Sequence, residues 1–235
     1  KSLIPQTFLM TLILGSLIGA LLIFYFDVVA IFLFGDIEEN TLKYAQDYFK
    51  IRAIGLPLSL LIALFYGVFR GFQNTSWAMY ISIIGGVVNI FLDVILIHGL
   101  GETLSPMGVE GAAWASLTAQ VVMLLLCIVY YLSKTPFGLA ISPKISPYFK
   151  EMITIFINMF IRTLVLNIVF IMANRYANQY GEEELAAYTI GYNIWIFTSF
   201  FIDGYSNAGN ALAGKFLGEN NSVKLQYLGK KLMWI

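Results

Sequence analysis

The stretch FLMTLILGSLIGALLIFYF, residues 8–26, contains no charged side chain. A helix needs roughly 20 mostly apolar residues to cross the hydrocarbon core of a bilayer, and this run supplies nearly all of them. Such a continuous run is too long for the strand of a membrane barrel, which alternates over about ten residues. The stretch therefore predicts a membrane-spanning α-helix, which we place near residues 8–34.

Five further stretches of the same character predict an all-α, polytopic membrane helical bundle of about six transmembrane helices. They lie near residues 53–69, 76–98, 109–132, 151–174 and 185–212. The first of these five is short and carries Pro57 near its start, so we expect it to be short or bent there. The chain starts without Met, and residues 230–235 resemble the opening of another apolar segment. We therefore interpret it as a piece of a longer protein.

The composition agrees with a membrane protein. Hydrophobic residues make up 59% of the chain and charged residues 12%, whereas soluble domains carry roughly 25% charged residues. The net charge is zero, so there is no basic surface for nucleic acid and we expect no such partner. The single cysteine, Cys127, lies in an apolar run, where we interpret it as a small buried residue.

The polar stretch from Ser133 to Pro147 holds three prolines and divides the chain. We expect residues 1–133 to be the second part of an amino-terminal lobe, 134–150 a cytoplasmic linker, and 151–235 the start of a carboxy-terminal lobe.

Basic residues predict the orientation of the chain in the membrane. One side carries nine of them: Lys1, Arg70, Lys134, Lys144, Lys150, Lys215, Lys224, Lys230 and Lys231. The other side carries four: Lys43, Lys50, Arg52 and Arg175. The side of Lys1 is therefore expected to face the cytoplasm.

Asp93 follows 22 uncharged residues, and Asn89 lies four residues before it on the same helical face. Charge inside a span is costly and is usually functional or paired. Asp93 could exchange a proton or accept a small cation, with the Asn89 carbonyl as a second oxygen ligand. It could equally be an acid near a helix end that faces water. We interpret Asp27, at the outer end of the first segment, as interfacial.

Arg162 has ten uncharged residues before it and twelve after it, which is deep for a charge that must reach water. It needs an acidic partner, a polar cavity or backbone carbonyls. Asp203, in the neighbouring segment, is the nearest acid in sequence. We therefore predict a possible intramembrane ion pair between Arg162 and Asp203.

The sequence offers no set of catalytic residues. No serine lies in a nucleophile-elbow pattern, and no phosphate-binding loop occurs. The lone His98 has no second His, Cys or acidic cluster beside it, so we predict neither a metal site nor an organic cofactor.

Three motifs in order resemble multidrug and toxic compound extrusion (MATE) transporters. The run Arg70-Gly71-Phe72-Gln73-Asn74-Thr75 resembles the R-G-x-Q-[DN]-T turn between the fourth and fifth helices of that family, and we expect it to form a tight turn. Asn89-Ile90-Phe91-Leu92-Asp93 is similar to its fifth-helix N-x-x-L-D element. Residues 108–116, GVEGAAWAS, resemble the start of its sixth helix.

The second half resembles the DinF-like branch of the family. The resemblance rests on Arg162, on Asp203-Gly204-Tyr205-Ser206-Asn207-Ala208 and on the run from Gly214 to Gly218. On this alignment the chain covers about helices three to eight of twelve. The first-helix acidic residue of the family lies outside the chain, and the seventh-helix glutamate of another branch has no match where Arg162 stands.

The resemblance implies a fold, a mechanism and a set of residues. The fold is two six-helix lobes around a cavity that opens alternately to each side. The function is a secondary-active antiporter that exports organic, drug-like compounds, driven by protons or sodium ions. Asn89 and Asp93 match positions tied to cation coupling, and Ser116 stands where the family often has a threonine whose hydroxyl faces the same pocket. We expect a monomeric, multi-pass protein of a bacterial plasma membrane, in contact with lipid.

Two other functions stay open at this point. A flippase of lipid-linked sugars or polysaccharide shares the fold, but such proteins tend to carry several basic residues in the cavity, and Arg162 is the only one that the sequence places there. An intramembrane enzyme would need a catalytic set, which the sequence does not show.

Overall fold

The computed structural model describes residues 3–34, 39–101, 105–135, 138 and 146–234. Within these ranges the chain forms nine α-helices. They are α1 Leu3–Phe24, α2 Phe26–Phe34, α3 Glu39–Ile54, α4 Leu56–Gly71, α5 Thr75–His98, α6 Gly108–Lys134, α7 Phe149–Tyr180, α8 Glu182–Gly218 and α9 Ser222–Met233.

Five of these helices, α1, α5, α6, α7 and α8, are long and apolar enough to cross a membrane, and the bent pair α3–α4 makes a sixth if it is one span. The 22 residues of α1 correspond to about 33 Å at 1.5 Å per residue, which matches a hydrocarbon core of about 30 Å. The prediction of an all-α bundle with about six spans is confirmed.

The helix pair α3–α4 is bent by 43° at Gly55, close to Pro57. Proline has no N–H to donate to the carbonyl of Ala53, so the helical ladder is interrupted there. Helix α1 passes close to this carbonyl, because a Cβ on Gly19 would lie 2.7 Å from the Ala53 oxygen. The expected bend near Pro57 is confirmed, but the helix before it begins as early as Glu39 rather than near residue 53.

The first predicted segment, 8–34, is divided at Tyr25 into α1 and α2. Helical hydrogen bonds continue through the division, from the Tyr25 N–H to Leu21 O at 2.9 Å and from the Val29 N–H to Tyr25 O at 3.0 Å. The backbone hydrogen bonding therefore continues across the division. No proline or glycine stands at this point, and nothing else in the sequence signals the break.

Residues 1–144 form one compact unit and residues 145–235 another. The core of the first unit is aromatic, with Phe65 and Phe69 of α4 packed against Tyr131 of α6. Cys127 is fully buried in this core, as the sequence predicts. Most of the linker predicted at 134–150 falls outside the described residues, including Lys144.

Small residues in the first unit stand where two helices touch. A Cβ on Gly15 of α1 would lie 2.8 Å from Pro57 Cα, and one on Gly111 of α6 would lie 2.5 Å from Leu96 O of α5. Close approach of helices through small residues is typical of membrane bundles. Within the GVEGAAWAS motif, Gly111 is therefore the glycine that matters for packing. It lets α6 lie against the carboxyl end of α5.

The RGFQNT motif forms a tight turn between α4 and α5. Gln73 has a left-handed conformation with φ of 59°. The Gln73 N–H donates to Arg70 O at 2.9 Å, and the Asn74 N–H donates to Phe69 O at 3.0 Å. This pair of bonds is the Schellman motif, which satisfies the last carbonyls of a helix.

The turn between α8 and α9 is built in the same way. Asn220 has φ of 52°, and its N–H donates to Leu217 O at 3.0 Å while the Asn221 N–H donates to Phe216 O at 2.9 Å. Asn221 then caps α9 by accepting a bond from the Lys224 N–H at 3.1 Å.

The second unit is built from α7, α8 and α9. Its 32-residue and 37-residue helices correspond to about 48 and 55 Å, longer than the hydrocarbon core. They meet at an aromatic cluster in which the Phe170 ring lies 5.3 Å from Tyr192 and 5.0 Å from Trp195, between ring centroids. No residue of α7 is buried, so its apolar surface is left for lipid or for other helices.

Candidate functional site

A pocket lined by several hydrogen-bonding side chains, of about 290 Å³, lies within the first unit beside α5 and α6. We call it the α5–α6 pocket. It is lined by Arg52, Ser82, Gly85, Gly86, Asn89, Ser116, Ala119, Gln120 and Met123. Hydrogen-bonding side chains are expensive among membrane helices, where each must find a partner or a cavity. Their concentration around one pocket makes it the candidate site.

The structure brings Asn89 and Ser116 together across this pocket. Asn89 Nδ2 lies 3.5 Å from Ser116 Oγ, a long separation for a hydrogen bond, and both side chains are partly buried. The GVEGAAWAS motif explains the placement of Ser116, because Gly111 sets α6 close to α5 and Ser116 follows little more than one turn later.

Asp93 lies one helical turn beyond Asn89 on α5, towards the carboxyl end. Ser82, Gly86 and Asn89 line the pocket at spacings of three and four residues, and Asp93 continues the same series along one helical face. Asp93 is partly buried and is not among the lining residues. The described residues thus place it next to the pocket, within about 8 Å of the end of α5 along the helix axis.

Gln120 of α6 ties the bend of α3–α4 to this pocket. Its amide is best satisfied with the oxygen towards Arg52 and Ser59, where it accepts from Arg52 Nη1 at 3.2 Å and from Ser59 Oγ at 2.8 Å. Its nitrogen then donates to Gly55 O at 3.3 Å. Gln120 is buried, with 9% of its surface exposed, and a Cβ at Gly55 would overlap its amide. One side chain of α6 therefore binds both sides of the bend.

Arg52 is the functional candidate that sequence reasoning missed. The charge count treats it as a residue of an outer loop, whereas it lies in the last turn of α3 and is partly buried. It lines the α5–α6 pocket and also a second cavity of about 360 Å³ beside the bend. The one signal in the sequence was Gln120, a polar residue inside an apolar segment, which needs a partner.

Arg162 and Asp203 stand at similar depth in the second unit. Arg162 is eight residues from Phe170 along α7, and Asp203 is eight residues from Trp195 along α8, about 12 Å from the aromatic cluster in each case. Both side chains are exposed. In the part of the chain that the structure describes they do not form an ion pair within 4.0 Å, so the pair stays a prediction.

The described residues contain no group of three or more His, Cys, Asp or Glu that could hold a metal ion. His98 ends α5, where its Nδ1 lies 3.3 Å from Val94 O. The polar atoms of the pocket itself come from amides, hydroxyls and one guanidinium.

These features define a polytopic helical membrane protein with a pocket among its spans. The MatE family model matches residues 3–95 and 154–235, and the chain belongs to this family. The resemblance stated from the motifs is thus confirmed.

Named relatives and a solved structure agree. Protein DETOXIFICATION 43 of Arabidopsis thaliana is 27% identical over 231 residues, 94% of this chain and 42% of that protein. DNA damage-inducible protein F of Escherichia coli is 32% identical over 121 residues, 52% of this chain and 25% of that protein, in line with the branch that the second-half motifs indicate. A crystal structure of MATE in the bent conformation aligns with a TM-score of 0.81 and 24% identity over 98% of this chain and 51% of its own.

The chain spans about half the length, or less, of the relatives it matches.

Proposed function

We propose that the complete protein is a secondary-active antiporter that exports organic compounds by alternating access, driven by protons or sodium ions. The observation that carries the proposal is the α5–α6 pocket, where Asn89 meets Ser116 and Asp93 follows one turn later on the same face of α5. Membership of the MatE family supports the transporter class. A relative in this family, in Photorhabdus laumondii, carries the name probable multidrug resistance protein NorM.

Asp93 is the proposed coupling residue. A carboxylate beside an amide and a hydroxyl offers the oxygen ligands that protons and small hard cations use. The energy available is sufficient for uphill export. One cation entering across 100 mV supplies about 2.3 kcal/mol, and each pH unit of gradient adds about 1.4 kcal/mol.

The test is Asp93→Asn in the complete transporter, reconstituted in vesicles with an imposed proton or sodium gradient. The amide keeps the size of the side chain but cannot exchange a proton and binds a cation weakly. We expect gradient-driven efflux to be lost while substrate binding, measured separately at equilibrium, is retained. Comparing the two gradients in the wild type identifies the coupling ion.

Asp27→Asn is the matched control, because Asp27 is an exposed acid on α2 outside the pocket. It should leave efflux unchanged. Full efflux by the Asp93→Asn variant would show that Asp93 is an interfacial acid, and the coupling site would then lie on other helices of the transporter.

A flippase of lipid-linked sugars is the second candidate function, and one observation favours it. Arg52 lines the α5–α6 pocket, and flippases of this fold tend to carry several basic residues in the cavity. Preferential binding of a lipid phosphate over the matching lipid alcohol would favour the flippase.

A further inference from the structure

Arg52 is a cation without an acidic partner in the described part of the chain. No Asp or Glu there lies within 4.0 Å of its guanidinium, and its one hydrogen bond runs from Nη1 to the neutral amide of Gln120. A guanidinium has five N–H donors. Most of its donor capacity is therefore not used by the described residues of the first unit.

The position of Arg52 makes this unused donor capacity unusual. Arg70, at the end of α4, follows it by 18 residues, which is at most about 27 Å of helix. Arg52 thus stands at the end of a span rather than free in water, and it is a partly buried residue of α3 that faces α5 and α6 across the pocket. An uncompensated charge in such a place is costly, so a partner that supplies negative charge is expected.

The chemistry around Arg52 fits an oxyanion. The groups that share the pocket with it are the amide of Asn89 and the hydroxyls of Ser82 and Ser116, all of which can donate hydrogen bonds. Among the described residues no carboxylate lines the pocket, and Asp93 lies one helical turn beyond it on α5. Its volume of about 290 Å³ lies near the lower end of the range of about 300–1,000 Å³ for ligand sites. It can hold an anionic group and the part of the molecule that carries it.

We infer that the α5–α6 pocket binds an oxyanion group of an organic substrate, a carboxylate or a phosphate, with Arg52 as the anchoring residue. The planar fork of arginine matches two oxygens of either group. Gln120 is a positioning residue, because its bonds to Ser59 and to Arg52 hold the guanidinium at the pocket. The inference rests on the proposed function only in calling the bound molecule a substrate.

The experiment measures equilibrium binding to the complete transporter with matched pairs of molecules. The carboxylate pair is a rhodamine dye with a free carboxylate and the methyl ester of the same dye. The phosphate pair is farnesyl phosphate and farnesol, measured by displacement of the dye. Preference for the first member of only one pair identifies the source as a small organic acid or as a lipid phosphate, and preference in both pairs supports a general oxyanion site.

We expect the wild type to bind the charged member of at least one pair about tenfold more tightly than its neutral partner, which corresponds to about 1.4 kcal/mol. Arg52→Gln should remove this preference and leave the binding of the neutral partner unchanged, so the neutral partner reports that the variant is folded. Arg52→Lys keeps the charge without the fork and should retain part of the preference. The matched control is Lys50→Gln, an exposed cation two residues away, which should retain all of it.

Three results would overturn the inference. One is a wild type that binds both members of each pair equally, as it would if a carboxylate side chain from the rest of the transporter neutralised Arg52. Another is a preference that survives in Arg52→Gln. The third is an Arg52→Gln variant that loses the neutral member to the same extent as the charged one.

The proposed function can be refuted independently of the oxyanion site. A wild type that shows the Arg52-dependent preference but no gradient-driven efflux would refute antiport and leave the oxyanion site standing.

Discussion

Replacement of Gln120 by leucine tests how α6 holds the bend of α3–α4. Leucine has a similar volume but no hydrogen-bonding group, so the variant loses the bonds of the amide to Arg52, Ser59 and the carbonyl of Gly55. The aromatic core, about three turns along α6 at Tyr131, is left as it is. The change therefore isolates the contribution of one polar side chain to the stability of the first unit.

The expected loss in the free energy of unfolding follows from these three hydrogen bonds. A neutral hydrogen bond contributes about 1 kcal/mol, and one to a charged group about 2 kcal/mol. The sum is about 4 kcal/mol, and part of it is recovered because Arg52 can turn towards the pocket and be solvated there. We expect a net loss of about 3 kcal/mol in the free energy of unfolding, which is roughly a hundredfold change in the equilibrium between closed and opened unit.

Cys127 supplies the assay, because its side chain is fully buried on the same helix. A maleimide can reach the thiol only when the unit opens, and peptide mass spectrometry measures the modified fraction of this one cysteine over time. When closing is faster than modification, the rate follows the equilibrium population of the open form. We expect the labelling rate of Gln120→Leu to exceed that of the wild type roughly a hundredfold.

Thr118→Val is the control, since Thr118 is an exposed residue of the same helix that lies outside the Gln120 network. It should label at the wild-type rate. If Gln120→Leu also labelled at the wild-type rate, its three bonds would contribute nothing to closing the unit, and the argument that Gln120 positions Arg52 would lose its structural basis.

Two further predictions concern backbone positions. Gly111→Ala should destabilise the first unit by about 1–3 kcal/mol, because the new Cβ meets the backbone oxygen of Leu96, which cannot move aside. Gly86→Ala is the control and should not destabilise the unit, because its Cβ meets open space. Equal midpoints of thermal unfolding for the two variants would contradict the close packing of α5 and α6. Gln73→Gly and Asn220→Gly should each raise stability by up to about 1 kcal/mol, because both residues have a positive φ that glycine adopts without strain. A lower midpoint of thermal unfolding in both variants would show that their side chains matter more than the backbone strain.

The sequence predicts the spans well because each is a continuous apolar run long enough to cross a bilayer, and Pro57 predicts the bend because its ring interrupts the helical ladder. It does not predict the division at Tyr25, where no residue with special backbone preferences stands.

Arg52 shows most clearly what the sequence does not predict. A window that scores apolar residues excludes it from the span, although the helix continues through it from Glu39 to Ile54. Its neighbour Gln120 lies 68 residues away in the chain, so only the folded structure brings them together.

The turn between α4 and α5 also bears on how the protein enters the membrane during synthesis. Only residues 72–74 connect the two helices, and even fully extended they reach about 10 Å. A span of about 30 Å cannot wait in the translocation channel while its predecessor moves off into lipid on so short a tether. We therefore expect α4 and α5 to leave the channel as a hairpin, so that a stalled ribosome that exposes α4 alone should yield a span still held at the insertion machinery.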